Sequence, residues 1–173
     1  MNNTTFVHKY IRPLITKEDT VVDMTAGGGS DTLFLAAHAG HVYAFDIDPD
    51  AIARTREKTK DFDNITYVLD SHVRVQAYTD DVKLVLFNLG YYPYGDRKRP
   101  TEAANTIMAV DRSYEILKDG GYLVITFYRG HPGGKDEYIR VMDHIGKMGY
   151  PVLTEYQKHR REEEPVTVII KKT

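Results

Sequence analysis

Asp23-Met24-Thr25-Ala26-Gly27-Gly28-Gly29-Ser30-Asp31-Thr32 is the stretch on which the reading of this chain turns. It follows Thr20-Val21-Val22, whose β-branched side chains suit a buried strand, and runs into Leu33-Phe34-Leu35-Ala36-Ala37, which suits a helix. The order is strand, glycine turn, helix. Glycines there permit positive φ and let a ligand approach main-chain N–H groups, while the helix N-terminus adds a partial positive charge. The pattern predicts a nucleotide-like ligand, although a glycine motif alone also fits a plain turn.

Two details separate the candidate ligands. In the dinucleotide pattern the third small position is Gly or Ala, so that helix and strand pack closely, but counting from Gly27 and Gly29 that position is Thr32. Asp23, at the strand end, would repel a diphosphate and attract a ligand ammonium. S-adenosylmethionine, with an ammonium, a sulfonium and no phosphate, fits both details.

With 173 residues and 19.8 kDa, one domain spanning residues 1–173 is expected, large enough for a sizeable core. Hydrophobic residues at 42% and charged residues at 28% describe an ordinary globular chain. No apolar run approaches the roughly 20 residues of a membrane span, and no charged-then-apolar leader opens the sequence, so a cytoplasmic protein is expected. Cysteine is absent, which excludes disulfides, thiolate zinc sites and methyl transfer through a covalent cysteine adduct. No metal-ligand set is expected. The net charge of −2 leaves no global basic footprint for nucleic acid, only room for a local patch. Oligomeric state is not set by the sequence, and a homodimer is a working assumption.

Outward from the glycine turn, strands and helices alternate. Thr4 to Ile15 has helical spacing, with Pro13 expected to kink or end it, and reads as a helix covering one sheet edge. His41 to Phe45 is a strand ending in Asp46-Ile47-Asp48, and Pro49 opens a helix to about Lys60. Ile65 to Leu69 is closed by Asp70-Ser71-His72. Val82 to Phe87 ends at Asn88-Leu89-Gly90-Tyr91, and a polar loop runs to Pro100. Thr101 to Leu117 is a helix stopped by Asp119-Gly120-Gly121, then Tyr122 to Phe127 is a strand. A loop and a helix to about Met148 precede two last strands, Pro151 to Tyr156 and Val166 to Ile170. This predicts an α/β fold with a seven-stranded, mostly parallel, doubly wound Rossmann-like sheet and a C-terminal antiparallel hairpin, as in class I methyltransferases.

Ligands of open α/β sheets bind beyond the carboxyl ends of the strands, which here are Asp23, Asp46, Asp70 and Asn88. Asp46, with Asp48 beside it, is the candidate acceptor for ribose hydroxyls; Asp70, Ser71 and His72 are candidates for the adenine edge.

Asp23-x-Thr25-x-Gly27-x-Gly29-x-Asp31-Thr32, Phe45-Asp46-Ile47, Asp70-Ser71-His72, Asn88-Leu89-Gly90-Tyr91 with Gly95-Asp96, and Gly130-His131-Pro132-Gly133-Gly134-Lys135 together resemble the YtqB/MnmM family, long labelled putative rRNA methylase. The match is collinear over nearly the whole chain, and Gly28 and Ser30 stand where relatives often carry larger polar residues. The resemblance implies an S-adenosylmethionine-dependent enzyme that methylates the exocyclic amine of 5-aminomethyl(-2-thio)uridine at the tRNA wobble position. It places Asp23, Thr25, Gly27, Gly28, Gly29, Asp31, Asp46, Asp48, Asp70, Ser71 and His72 at the cofactor.

Asn88-Leu89-Gly90-Tyr91 is similar to the (Asn/Asp)-Pro-Pro-(Tyr/Phe) signature of amino-methyltransferases without its prolines. The Asn side-chain oxygen and the next backbone carbonyl would accept the amine hydrogens and aim its lone pair at the methyl, with Tyr91 packed on the substrate. His131 is a candidate base or a loop-packing residue. For RNA, Tyr92, Arg97, Lys98 and Arg99 beyond the fourth strand and Arg129, His131 and Lys135 beyond the fifth flank the transfer point, tyrosines to stack a base and cations to hold phosphates. Lys158, His159, Arg160 and Arg161 extend that patch or form plain solvated surface. Two other readings remain at this point: a methyltransferase acting on rRNA or on a small-molecule or protein amine, and a nucleotide-sensing module without catalysis.

Overall fold

A two-residue alternation in the central strands decides which helices lie on which face of the sheet. In β4 (Val82–Leu89), Leu84 and Leu86 join one buried cluster, whereas Val85, Phe87 and Leu89 join the other. The computed structural model describes residues 1–89, 103–159 and 161–173. Among them β4 joins β1 (Thr20–Asp23), β2 (His41–Asp46), β3 (Ile65–Leu69), β5 (Leu117–Phe127), β6 (Val152–Tyr156) and β7 (Val166–Lys171) in one sheet, and in its order β3-β2-β1-β4-β5-β7-β6 the neighbours of β4 are β1 and β5. The first five strands are parallel, and β7 runs antiparallel between β5 and β6. The expected α/β sheet with its terminal antiparallel hairpin is therefore the observed one.

One face carries α4 (Ala103–Ile116) and α5 (Gly134–Met148), whose Ala109, Val110, Val141 and Ile145 pack with Val22, Phe45, Phe87 and Leu123. The other carries α1 (Asn3–Ile11) and α2 (Ser30–His38), with Val7, Ile11 and Leu35 against Val21, Leu84, Val124 and Ile169. α3 (Pro49–Lys58) adds Ile52 against Ala26 and Ala44. Full burial of each large apolar side chain contributes about 1.5–3 kcal/mol, which holds the strand ends in fixed register. Because β2 and β4 flank β1, the chain leaves β1 toward one side and later returns on the other. The carboxyl ends of β1 and β4 thus border the crevice where such sheets bind ligands.

Two expectations change. The first helix ends at Ile11, ahead of Pro13 as expected, and Pro13 lies in a 3-10 turn, Arg12–Leu14. That helix covers a sheet face, not an edge: its buried residues cluster with those of β1, β4, β5 and β7, and Asn3 Nδ2 donates to Pro165 O and Thr167 Oγ1. The strand expected from Tyr122 starts at Leu117, directly after α4, because Leu117 pairs with Val82 before a bulge that carries Gly120 at φ +71. Among the described residues no helix is long and apolar enough to cross a membrane.

Candidate active site at the strand ends

The glycine turn is held by its own backbone and by its neighbours. Met24 N–H donates to Leu86 O, Ala26 N–H to Phe45 O, and Gly29 N–H to Ala26 O at 2.7 Å. Gly27 and Gly29 sit at φ +54 and +78, conformations that side-chain-bearing residues rarely adopt. The reasons for the glycines differ. A Cβ on Gly29 would lie 2.9 Å from Thr55 Cα, so close helix packing demands glycine, whereas a Cβ on Gly28 would meet no protein atom within 4 Å. Gly28 opens outward, so packing within the described residues does not require glycine there.

Asp23 does not face that opening. It is fully buried, accepting Thr25 N–H at 3.1 Å and Thr32 Oγ1–H at 2.6 Å. Burial, then the nearby Asp31, pushes its carboxyl up to about 7, against the lowering effect of the Thr32 and Thr25 hydrogen bonds. The expected direct meeting with a ligand ammonium is corrected: a residue without accessible surface acts on the ligand only through the turn it braces.

At the end of β2, Asp46 accepts Gly27 N–H at 2.9 Å and Asp48 N–H at 3.0 Å. Each oxygen keeps a further lone pair for hydroxyl donors. Asp48 caps α3, accepting Asp50 N–H at 3.0 Å. Between them Ile47 is 68% exposed, an apolar surface beside the Asp46 carboxylate that sequence reasoning quoted without assigning a role. At the end of β3, Asp70 accepts Ser71 N–H at 2.7 Å and Tyr78 O–H at 2.6 Å. Those two bonds, with Arg74 close by, hold the Asp70 carboxyl below its usual range. Ser71 caps the 3-10 turn His72–Ala77. His72 lies edge-on to Phe87 at 5.2 Å, and burial lowers its pKa despite the Met24 backbone and Asp46, leaving the ring neutral at neutral pH.

Asn88 stands over the turn from the next strand. Its backbone N–H donates to Thr25 Oγ1 at 2.9 Å, and its side-chain Nδ2 donates to Asp31 Oδ2 at 2.6 Å. Asp31 Oδ1 lies 2.6 Å from His8 Nε2, and the His8 ring stacks on Phe34 with centroids 4.0 Å apart. Thr25 and Asp31, both read from sequence as cofactor contacts, thus join the glycine turn to Asn88. His8 was missed because α1 carries no motif near it.

Beyond β5 one of the two expected cations is bound to the fold. Arg129 donates to Glu164 O and Arg161 O at 3.1–3.2 Å and lies over the Tyr138 ring at 5.0 Å, so its guanidinium clamps the β6–β7 connection. Arg129, expected from sequence among the RNA contacts, is thus also bound to the fold. Lys135 pairs with Glu162 at 2.9 Å on exposed surface. His131 directs Nδ1 toward Pro132 O, and its buried Nε2 lies 2.8 Å from where a Gly134 Cβ would stand, so the ring packs at the start of α5. Tyr91, Tyr92, Arg97, Lys98, Arg99 and Arg160 lie outside the described residues.

The acceptor at Asp46, the apolar Ile47 and the open face of Gly28 fit an adenosyl group joined to an amino-acid tail. Residues 42–171 match the family described as "Putative rRNA methylase". This chain belongs to that family, of YtqB/MnmM type. A family member of the same description from Clostridium thermocellum has a solved structure with TM-score 0.92 and 34% identity, covering 100% of this chain and 98% of its own. A methyltransferase structure from Streptococcus mutans, in complex with SAH, gives TM-score 0.89 and 30% identity over 100% and 99%. The chloroplastic tRNA (mnm(5)s(2)U34)-methyltransferase of Arabidopsis thaliana is 33% identical over 188 residues, 96% of this chain and 68% of that one. The chain is an S-adenosylmethionine-dependent class I methyltransferase.

Proposed function

We propose that this methyltransferase acts on the exocyclic amine of 5-aminomethyl(-2-thio)uridine at the tRNA wobble position, giving 5-methylaminomethyl(-2-thio)uridine, in the cytoplasm. The observation that carries this reading is the 33% identity to the Arabidopsis tRNA methyltransferase, which extends over 96% of this chain. The polarity at Asn88 supports it.

S-adenosylmethionine supplies a methyl group already activated on its sulfonium. In this reading Asp46 accepts the ribose hydroxyls, Ile47 underlies the adenine, and Asp70, Ser71 and His72 border the adenine edge. The backbone of Gly27, Gly28 and Gly29 admits the rest of the cofactor. Asn88 donates from Nδ2 to Asp31, and its Oδ1, which takes no hydrogen bond from a described residue, is the acceptor for one N–H of the incoming amine. Accepting that hydrogen turns the nitrogen lone pair toward the methyl, and Tyr91 packs on the uridine. An alkylamine is largely protonated at neutral pH and must lose a proton first; a pocket that excludes water lowers its pKa. Orientation is the larger contribution, worth about 7–11 kcal/mol in well-aligned systems. Tyr92, Arg97, Lys98, Arg99 and Lys135 are the proposed RNA contacts, with the anticodon region of tRNA as their partner.

Mass spectrometry of tRNA nucleosides from a deletion strain tests the reading. Accumulation of the unmethylated 5-aminomethyl nucleoside, reversed by the wild-type chain but not by Asn88→Ala, is the expected result. Unchanged tRNA beside a lost rRNA methylation would assign the enzyme to rRNA instead.

A further inference from the structure

We propose that His8 and Asp31 form a positioning pair that fixes the carboxamide of Asn88 in the one orientation that accepts an amine. An asparagine side chain presents an acceptor on one side and two donors on the other, and a half-turn exchanges them. At the methyl-transfer point that exchange reverses the site: a carboxamide NH2 facing an amine N–H opposes donor to donor. Asp31 removes the ambiguity. An ionised carboxylate only accepts, so the Asn88 atom 2.6 Å from Asp31 Oδ2 is the nitrogen, and Oδ1 must point the other way.

Asp31 is itself held. It lies in the first turn of α2, yet its two oxygens leave that helix and reach Asn88 on β4 and His8 on α1. His8 Nε2 stands 2.6 Å from Oδ1, and the imidazole lies flat on Phe34 with the ring planes 9° apart, which stops it from swinging away. Both side chains are largely enclosed, at 23% and 17% exposure, so water competes weakly for these bonds. The assignment moves Asp31 from the cofactor set to the acceptor set and gives the N-terminal helix a task in transfer. Its consequence for rate rests on the amine-methylation reading; its structural content does not.

The test therefore has two arms, both on the full-length protein. In ¹H–¹⁵N spectra the Asn88 carboxamide is identified by its loss in Asn88→Ser; its proton facing Asp31 should lie downfield and exchange slowly, and both signs should vanish in Asp31→Ala. In single-turnover methylation of tRNA from the deletion strain, Asp31→Ala should be about 10²-fold slower, the usual effect of a misaligned reacting group, with SAH affinity within about tenfold of wild type. His8→Ala should slow transfer about tenfold, and His8→Gln, whose amide can donate to Asp31, should restore most of it. An unmoved Asn88 resonance in Asp31→Ala overturns the proposal, as does wild-type transfer by that variant. A parallel collapse of SAH affinity also overturns it, making Asp31 a cofactor ligand. If wild type transfers no methyl to this tRNA, the substrate reading fails and the spectra alone decide the pair. Should Asp31→Ala not fold, Asp31→Asn, which keeps an acceptor and loses the charge, and His8→Ala carry both arms.

Discussion

The ends of β1, β2 and β4 and the loop beyond β5 contain the same kinds of residue, charged groups and glycines after a strand, but use them in opposite ways. At the first, polar side chains brace the backbone and leave something over: Asp46 holds two N–H groups and retains lone pairs, and Asn88 donates to Asp31 while its Oδ1 takes no hydrogen bond from a described residue. Beyond β5 Arg129 is spent on the fold, with three contacts to two carbonyls and a tyrosine face, and His131 packs against Gly134. Charge after a strand therefore marks a ligand site only where donors or acceptors remain once the fold is satisfied.

The sharpest way to break that contrast uses two adjacent glycines. Gly29→Ala should cost about 3–5 kcal/mol of stability, because it forces a side chain into a left-handed conformation and against the Thr55 backbone. Gly28→Ala should leave stability within about 0.5 kcal/mol of wild type, because an added methyl there meets no described protein atom. Thermal unfolding separates the two, and a comparable loss in Gly28→Ala would mean that the fold needs glycine at both positions.

A smaller effect belongs to Asp23. Its folded pKa of about 7 exceeds the ordinary 3.8, so the folded state holds the proton more tightly. The stability this confers is complete in acid and is lost as pH rises from the ordinary carboxylate range through 7. Wild type should lose about 2 kcal/mol relative to Asp23→Asn between pH 5 and pH 7, read from urea unfolding at each pH. Parallel curves would show that Asp23 ionises normally inside the fold.

Arg129→Ala should destabilise by about 1–2 kcal/mol, since it strips hydrogen bonds from the Glu164 and Arg161 carbonyls, while KM for tRNA stays within about twofold. A large rise in KM with unchanged unfolding would return Arg129 to the RNA surface. The smallest effect is that of Lys135→Ala, whose exposed pair with Glu162 should matter to stability by less than about 0.5 kcal/mol. Any change it makes in salt-dependent tRNA binding then reports on RNA alone.

Periodicity and turn chemistry, which act between residues a few positions apart, were enough to predict from sequence the strands ending at Asp23, Asp46, Asp70 and Asn88, the helix after the glycine turn, and the antiparallel final hairpin. The same local signals made every strand-end acid look like a ligand contact. Which of them turn inward was decided only in three dimensions, because it depends on partners distant in the chain. Asn88 meets Asp31 across 57 residues and His8 meets Asp31 across 23, contacts created by the order in which β1 and β4 lie side by side and by α1 packing on a sheet face. Arg129 is likewise claimed by carbonyls 32 and 35 residues away, brought near by the antiparallel return of β7. A side chain's hydrogen bonds go to whatever the register sets beside it, and register is fixed by the burial of whole strands rather than by the residues at their ends.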